Sequence, residues 1–347
     1  MHKIRYSFID QLRFIAAFTV AITHLIIVQK GLNVNLEIIS SMSVEIFFII
    51  SGFVLAPQIL KTIKTKNLIN YKIFLIRRWY RTIPLYLLSL ILTSILLGNL
   101  FTFDFFKYFF FVQNFFNNSL NVDFFSIAWS LSVEEWFYII FPFFLLISFR
   151  IFNLNKDDHV VLVTIFFILI IFLIRFFYSD YSEWGSNVRR IVIFRLDSIA
   201  FGFILFFVKD KIILKKINNM ILILFFLILS IFVFKIFEMN ISDNPNLFKV
   251  IFHYAVALWG ASIVFLCYIF DKYITNTSFI NFNLYLGKIS YSIYLFHLML
   301  IYIISTLNFL SFSLLLGLFI FFQIILSTLL YHYFEKPILN SRPNYSS

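Results

Sequence analysis

Residues 13–24 read RFIAAFTVAITH. Between its first and last residues this stretch is apolar apart from two threonines, and the apolar run around it is long enough to sit inside a bilayer. A helix turns about 100° per residue, so eleven positions make almost three whole turns and put Arg13 and His24 on one face, about 16 Å apart along the axis. Asp10, three positions earlier, joins the same face. The stretch therefore reads as a membrane helix with a polar stripe running from its edge into its interior.

The rest of the chain has the same character. Its 347 residues are 61% hydrophobic and 13% charged, with 52 phenylalanines, and the mean hydropathy is +0.93. A soluble domain of this size could not hide so much apolar surface. The composition implies an all-α fold, a polytopic membrane bundle forming a single domain over 1–347. Apolar windows of about 20 residues fall near 8–28, 38–58, 82–98, 127–148, 159–178, 190–208, 219–237, 248–270, 286–306 and 312–333, which predicts ten spans. LFTFDFFKYFFFVQNFF (100–116) could be an eleventh, but Asp104 and Lys107 favour an interfacial aromatic helix.

Charge in the loops orients the bundle. Lys61, Lys64, Lys66, Lys72, Arg77, Arg78 and Arg81 fall in one loop region; Arg150 with Lys156, then Lys209, Lys211, Lys215 and Lys216, then Lys272, fall in later alternate loops. The intervening loops are poorer, with Lys30, Lys107, Arg189, Arg190 and Lys249 as the main exceptions. The positive-inside rule then places both termini in the cytoplasm. It also accounts for the net charge of +11 without nucleic acid as a partner. The lone Cys267 excludes an internal disulfide and a cysteine-based metal site, and His2, His159, His253 and His332 have no metal-ligand spacing. The charged MHKIRYSFIDQLR start argues for a retained first helix rather than a cleaved signal peptide.

An ionisable group at membrane depth costs at least about 2.5–3.5 kcal/mol on insertion scales, so each is a functional candidate. His24 either hydrogen-bonds a neighbouring helix or works as a base, and the stripe with Asp10 and Arg13 favours the second reading. Arg78 and Arg81 in FLIRRWYRTIP (74–84) share a helix face at the entrance to the third span. They serve either as topology signals or, with Arg13, as a clamp for a phosphate-bearing ligand. In WSLSVEEWFYIIFP (129–142) the spacing of Ser130, Glu134 and Tyr138 puts them on one face beside Trp129, whereas Glu135 shares a face with Ser132. Glu134 is thus a candidate catalytic carboxylate, although spacing leaves open which glutamate faces a cavity. Ser51 and Gly52 of SGF (51–53) are candidate pocket lining, Gly52 by allowing a ligand or another backbone to come close. Ser290, Tyr294 and His297 form a polar stripe on the ninth span. Arg175 has no evident partner, and Arg195 and Asp197, two apart, each need one of their own. Glu335 and Pro337 read as the end of the last span.

Together these residues resemble the acyltransferase-3 family of integral membrane O-acyltransferases. The resemblance rests on Asp10-Gln-Leu-Arg13 with His24, Ser51-Gly52-Phe53, Arg78-x-x-Arg81, Trp129-Ser-Leu-Ser-Val-Glu134-Glu135, Ser290-Tyr-Ser-Ile-Tyr294-Leu-x-His297 and Glu335-Lys-Pro337. It implies acetyl-CoA or a similar acyl-CoA as donor substrate, with no permanently bound cofactor. It further implies a glycan or lipid-linked sugar hydroxyl as acceptor, and a place in the bacterial inner membrane among its lipids. Some relatives carry an extra SGNH-type hydrolase domain; without one, transfer is expected to be completed by the membrane domain or with a separate partner. The physical reading is compatible: a polyanionic donor suits the basic cluster, and a histidine titrating near neutral pH suits removal of a hydroxyl proton. A lipid-linked sugar flippase or a polysaccharide polymerase would also need many spans. A transporter gives no reason for basic residues joined by a polar stripe to a histidine, and a polymerase would carry its main arginines in large extracytoplasmic loops, which are short here.

Overall fold

The computed structural model describes residues 6–64, 68–152, 157–178, 184–214, 219–238, 252–307 and 309–343. Lys66, Lys156, Lys215, Lys216, Lys249 and His2, which entered the reading of loops and histidines, lie outside them. The chain runs through α1 (Ser7–Lys30), α2 (Val34–Lys64), α3 (Leu68–Leu96), α4 (Phe103–Phe109), α5 (Ala128–Phe152), α6 (Asp157–Tyr178), α7 (Leu196–Leu214), α8 (Asn219–Glu238), α9 (His253–Phe270), α10 (Thr277–Ser305), α11 (Phe312–Leu329) and α12 (Lys336–Asn340). Each of the ten apolar windows holds a helix, and no strand occurs among the described residues. Eight described helical segments are long and apolar enough to cross a membrane. The protein is an all-α polytopic membrane bundle.

α4 settles the ambiguous 100–116 segment. It is seven residues long, too short to span. Its Asp104 pairs with Lys107 at 3.1 Å and accepts the N–H groups of Asn121 and Val122 at 3.0 and 2.9 Å. Burial raises the Asp104 pKa, but these donors outweigh it and hold the carboxyl below its ordinary value.

Several boundaries differ from the sequence reading; α10, for one, starts at Thr277, nine residues before its window. α2 and α3 reach Lys64 and begin again at Leu68, so the basic region 61–81 is mostly helix, and Arg78 and Arg81 ride on α3 itself. α7 starts at Leu196, after a π-helical turn (Gly185–Arg189) and a short 3₁₀ turn (Val192–Phe194). Residues around this bend pair with the 113–115 segment, as Val192 N–H donates to the Asn114 carbonyl at 2.9 Å. Pro337 does not stop the last helix: a π turn over Leu330–Glu335 leads into α12, whose first turn holds the proline, where its missing N–H is not needed.

α1 lies along α10 and α2, while α2 packs against α7 and α9 and also meets α5. The α2–α7 crossing is backbone on backbone. A Cβ on Gly52 would sit 1.9 Å from the Ile199 carbonyl oxygen, and one on Gly202 would sit 2.0 Å from that of Ile49. Gly52 is therefore a helix-contact residue rather than pocket lining, following the small-residue logic of membrane helix packing.

Buried charges fix the same region. Arg175 forms a bidentate pair with Asp197, at 2.8 and 3.2 Å, and both side chains are almost fully buried. Arg195 pairs with Glu45 on α2 and with His253 on α9. The sequence left Arg175 without a partner. Its mate lies 22 residues away, across the α6–α7 connection.

Candidate active site

The polar stripe of α1 opens into two cavities rather than one. The first is lined by Arg13 of α1, Val44, Phe47 and Ser51 of α2, and Arg78, Arg81 and Thr82 of α3. Ser130 and Glu134 of α5, with Ser290, Tyr291 and Tyr294 of α10, complete its polar wall. About 610 Å³ of space lies between these walls, part of it open to solvent. Three guanidinium groups face one lining carboxylate, so the cavity is cationic.

Its wall is organised by Tyr138, which is buried behind the lining. Tyr138 donates its hydroxyl proton to Glu134 Oε2 at 2.8 Å. Its oxygen then accepts from Arg78 Nη2 at 3.0 Å and from Ser51 Oγ at 2.9 Å. The Arg78 guanidinium also stacks over the Tyr138 ring, 4.7 Å from its centre. Arg78 is thus half-buried and held, not an exposed entrance charge. Its buried Nε has no hydrogen-bond partner among the described residues, a donor available to a ligand. Glu135 is buried too but is not among the residues that line the cavity; Glu134 is the glutamate that does.

Asp10 pairs with Arg13 at 3.0 Å and packs where α10 carries Gly287, whose Cβ would lie 2.5 Å from that of Asp10. It is not among the residues lining either cavity. Its place is that of an anchor for Arg13, not of a group that meets a ligand.

The second cavity, about 790 Å³ with its solvent-open part, is lined by His24. Around it lie Val20, Ile27 and Val28 of α1, Glu37 and Ser40 of α2, Trp129, Arg189, Arg190, Tyr294 and Tyr302. Arg189 ion-pairs with Glu37 and lies over the rings of Trp129 and Trp184, at 5.7 and 5.3 Å. Arg190 pairs with Asp123 at 2.8 Å. Burial and the adjacent Arg190 charge push the Arg189 pKa down to about 9, against the pull of Glu37. Both arginines here are matched by carboxylates, as Arg13 is by Asp10 in the first cavity. Sequence reasoning took Arg189 and Arg190 as outer-loop exceptions and did not find Glu37. A glutamate four residues past the loop Asn33 gives no periodic signal.

Val44 and Tyr294 line both cavities and form the partition between them. The Tyr294 hydroxyl is held by Ser130 at 2.6 Å, and its ring meets Phe47 edge-on at 5.6 Å. Behind the partition, His24 Nδ1 is 2.8 Å from His297 Nε2. Trp129 and Ser130, adjacent in sequence, face different cavities. His24 and Arg13, three turns apart on α1, do the same.

This geometry, a cationic cavity backed against a histidine-bearing one, fits an enzyme that passes a group between two substrates. The family model of the acyltransferase-3 acyltransferase domain matches residues 6–332. The chain belongs to the acyltransferase-3 family. No curated protein matches it, and no solved structure does. A membrane acyltransferase takes an activated acyl group from a donor and passes it to an acceptor nucleophile. Five helices, α1, α2, α3, α5 and α10, contribute to the walls of the two cavities.

Proposed function

We propose that this acyltransferase moves an acyl group, acetyl by default, from a cytosolic acyl-CoA to a hydroxyl of an extracytoplasmic glycan or lipid-linked sugar at the bacterial inner membrane. The observation that carries the reading is the pair of cavities sharing only Val44 and Tyr294 as walls, one bearing Arg13, Arg78 and Arg81 and the other His24. Coenzyme A carries several phosphate charges on a long neutral arm. Guanidinium groups bind phosphate oxygens through paired, charge-assisted hydrogen bonds, so the three arginines are the natural seat for its nucleotide end. The arm would then extend toward the Tyr294 partition. The second cavity, with its carboxylate-matched arginines and Trp129, offers a hydroxyl-rich acceptor hydrogen-bond partners and an aromatic face.

In this scheme the acceptor hydroxyl oxygen attacks the thioester carbonyl carbon while His24 Nε2 takes the hydroxyl proton. The tetrahedral intermediate collapses with loss of the C–S bond. His24 returns the proton to the departing sulfur, giving an ester and coenzyme A thiol. Tyr294, whose side chain lines both cavities, would turn its hydroxyl hydrogen from the Ile127 carbonyl oxygen, 3.2 Å away, to the developing oxyanion. Crossing from donor to acceptor requires its side chain to move, since it stands between them.

The test uses membrane vesicles of defined orientation and labelled acetyl-CoA. Label should enter an envelope glycan fraction only when acetyl-CoA has access to the face bearing Lys61, Lys72 and Arg77. Incorporation from the opposite face would reject the proposed direction.

A further inference from the structure

The acyltransferase mechanism leaves His297 without a task, yet it is completely buried beside His24. Its Nδ1 lies 2.7 Å from the backbone carbonyl oxygen of Tyr294, one turn earlier on α10. A carbonyl can only accept, so His297 Nδ1 carries hydrogen and, in the neutral ring, Nε2 carries the lone pair. That lone pair faces His24 Nδ1 at 2.8 Å, so His24 Nδ1 must carry hydrogen in turn. The ring centres are 5.1 Å apart and the planes differ by 22°, the arrangement of two nearly coplanar imidazoles joined nitrogen to nitrogen. His24 Nε2 is left as the basic atom, on the side of Ser40, whose hydroxyl is 3.4 Å away and lines the same cavity.

We propose that His297 is a positioning residue that holds His24 in the Nδ1–H tautomer, so that its lone pair at Nε2 points into the acceptor cavity. The inference rests on the reading of His24 as the base. It assigns to a neutral imidazole, anchored by a main-chain carbonyl, the part that a carboxylate takes in hydrolase triads. The second nitrogen of a histidine is governed by whatever the first one bonds. When His24 takes a proton, the same Nδ1–H bond persists and no partner has to turn. An anionic partner would have to be buried among apolar helices at much greater cost. Because Tyr294 also partitions the cavities, its backbone sets the base while its side chain faces both substrates.

The experiment is nitrogen-15 NMR of histidine-labelled protein in lipid, with the His24 signal assigned by its loss in His24→Asn, together with turnover of acetyl-CoA. In the wild-type protein His24 should be the Nδ1–H tautomer, a measurement that needs no stable variant of His297. His297→Leu keeps bulk but offers no acceptor; His24 should move to the Nε2–H tautomer, with a loss in kcat of about 10²–10⁴-fold and an unchanged KM for acetyl-CoA. His297→Gln can present an amide oxygen near the old Nε2 position, and should restore both the tautomer and most of the turnover. A wild-type His24 found as Nε2–H, or a His297→Leu protein with full kcat, would overturn the assignment. So would a His297→Gln protein no better than His297→Leu. An active His24→Asn protein would instead sink the base itself. Inactive His24→Asn alongside fully active His297→Leu would sink only the role of His297.

Discussion

Removing the cavity arginines one at a time separates binding from folding. Arg81 lines the first cavity and is only half-buried, so Arg81→Ala should leave the melting temperature close to wild type. A hydrogen bond to a charged group contributes about 1.5–3 kcal/mol net, so its loss should raise the Kd for coenzyme A about 10- to 150-fold. Arg78→Ala removes a comparable phosphate contact and more. It also deletes the 3.0 Å bond to Tyr138 and the cation–π stack on that ring, a further loss of about 2–4 kcal/mol from the fold. Arg78→Ala should therefore lower both affinity and melting temperature, whereas Arg78→Lys, which keeps charge but loses the planar fork, should fall between. Calorimetric titration with coenzyme A and with pantetheine provides the assay, since pantetheine lacks the nucleotide phosphates. Coenzyme A affinity should fall in these variants while pantetheine affinity holds. Equal losses for the two ligands, or a Kd within twofold of wild type in Arg81→Ala, would refute the phosphate clamp.

Other perturbations test the frame around the site. Gly52→Ala forces a contact of 1.9 Å out to at least 3.0 Å against main chain, so it should destabilise the bundle by about 1–3 kcal/mol or more, read as a lower melting temperature in detergent. Asp197→Ala leaves the buried Arg175 charge unmatched and should cost about 3–5 kcal/mol; a melting temperature unchanged from wild type would show that the pair is not structural. The depressed pKa of Asp104 implies stability that is fully present above its unfolded value near 3.9 and is lost as pH falls through the folded value. Melting curves between about pH 5 and pH 2 should show that decline, and Asp104→Asn should flatten it.

The sequence carried the membrane class well, because apolar windows separated by polar loops are a strong local signal, and α1 and α5 fell close to where composition put them. It also placed Ser130, Glu134 and Tyr138 on one face, which the Tyr138–Glu134 bond bears out geometrically. The division of the stripe was not legible. Arg13 and His24 share a face of α1, but whether one cavity or two lies beyond them depends on Tyr294 and Val44, supplied by other helices. Spacing gave Gly52 two readings, and only the crossing with Gly202 chose between them. Partners such as Glu45 for Arg195, 150 residues apart, lie beyond any periodicity. His297 was visible as part of a stripe; that it touches His24 is a fact of α1–α10 packing, not of either segment alone.

The central claim is that an acyl group bound in the arginine cavity reaches a hydroxyl activated by His24. Its most direct measurement is transfer of labelled acetyl from acetyl-CoA to the envelope glycan fraction by purified His24→Asn protein in proteoliposomes, with coenzyme A affinity and melting temperature recorded on the same sample. Asparagine keeps a polar group of similar bulk but takes up no proton at neutral pH. The account predicts transfer reduced about 10²–10⁴-fold with donor affinity and stability near wild type. Transfer at the wild-type rate would contradict it.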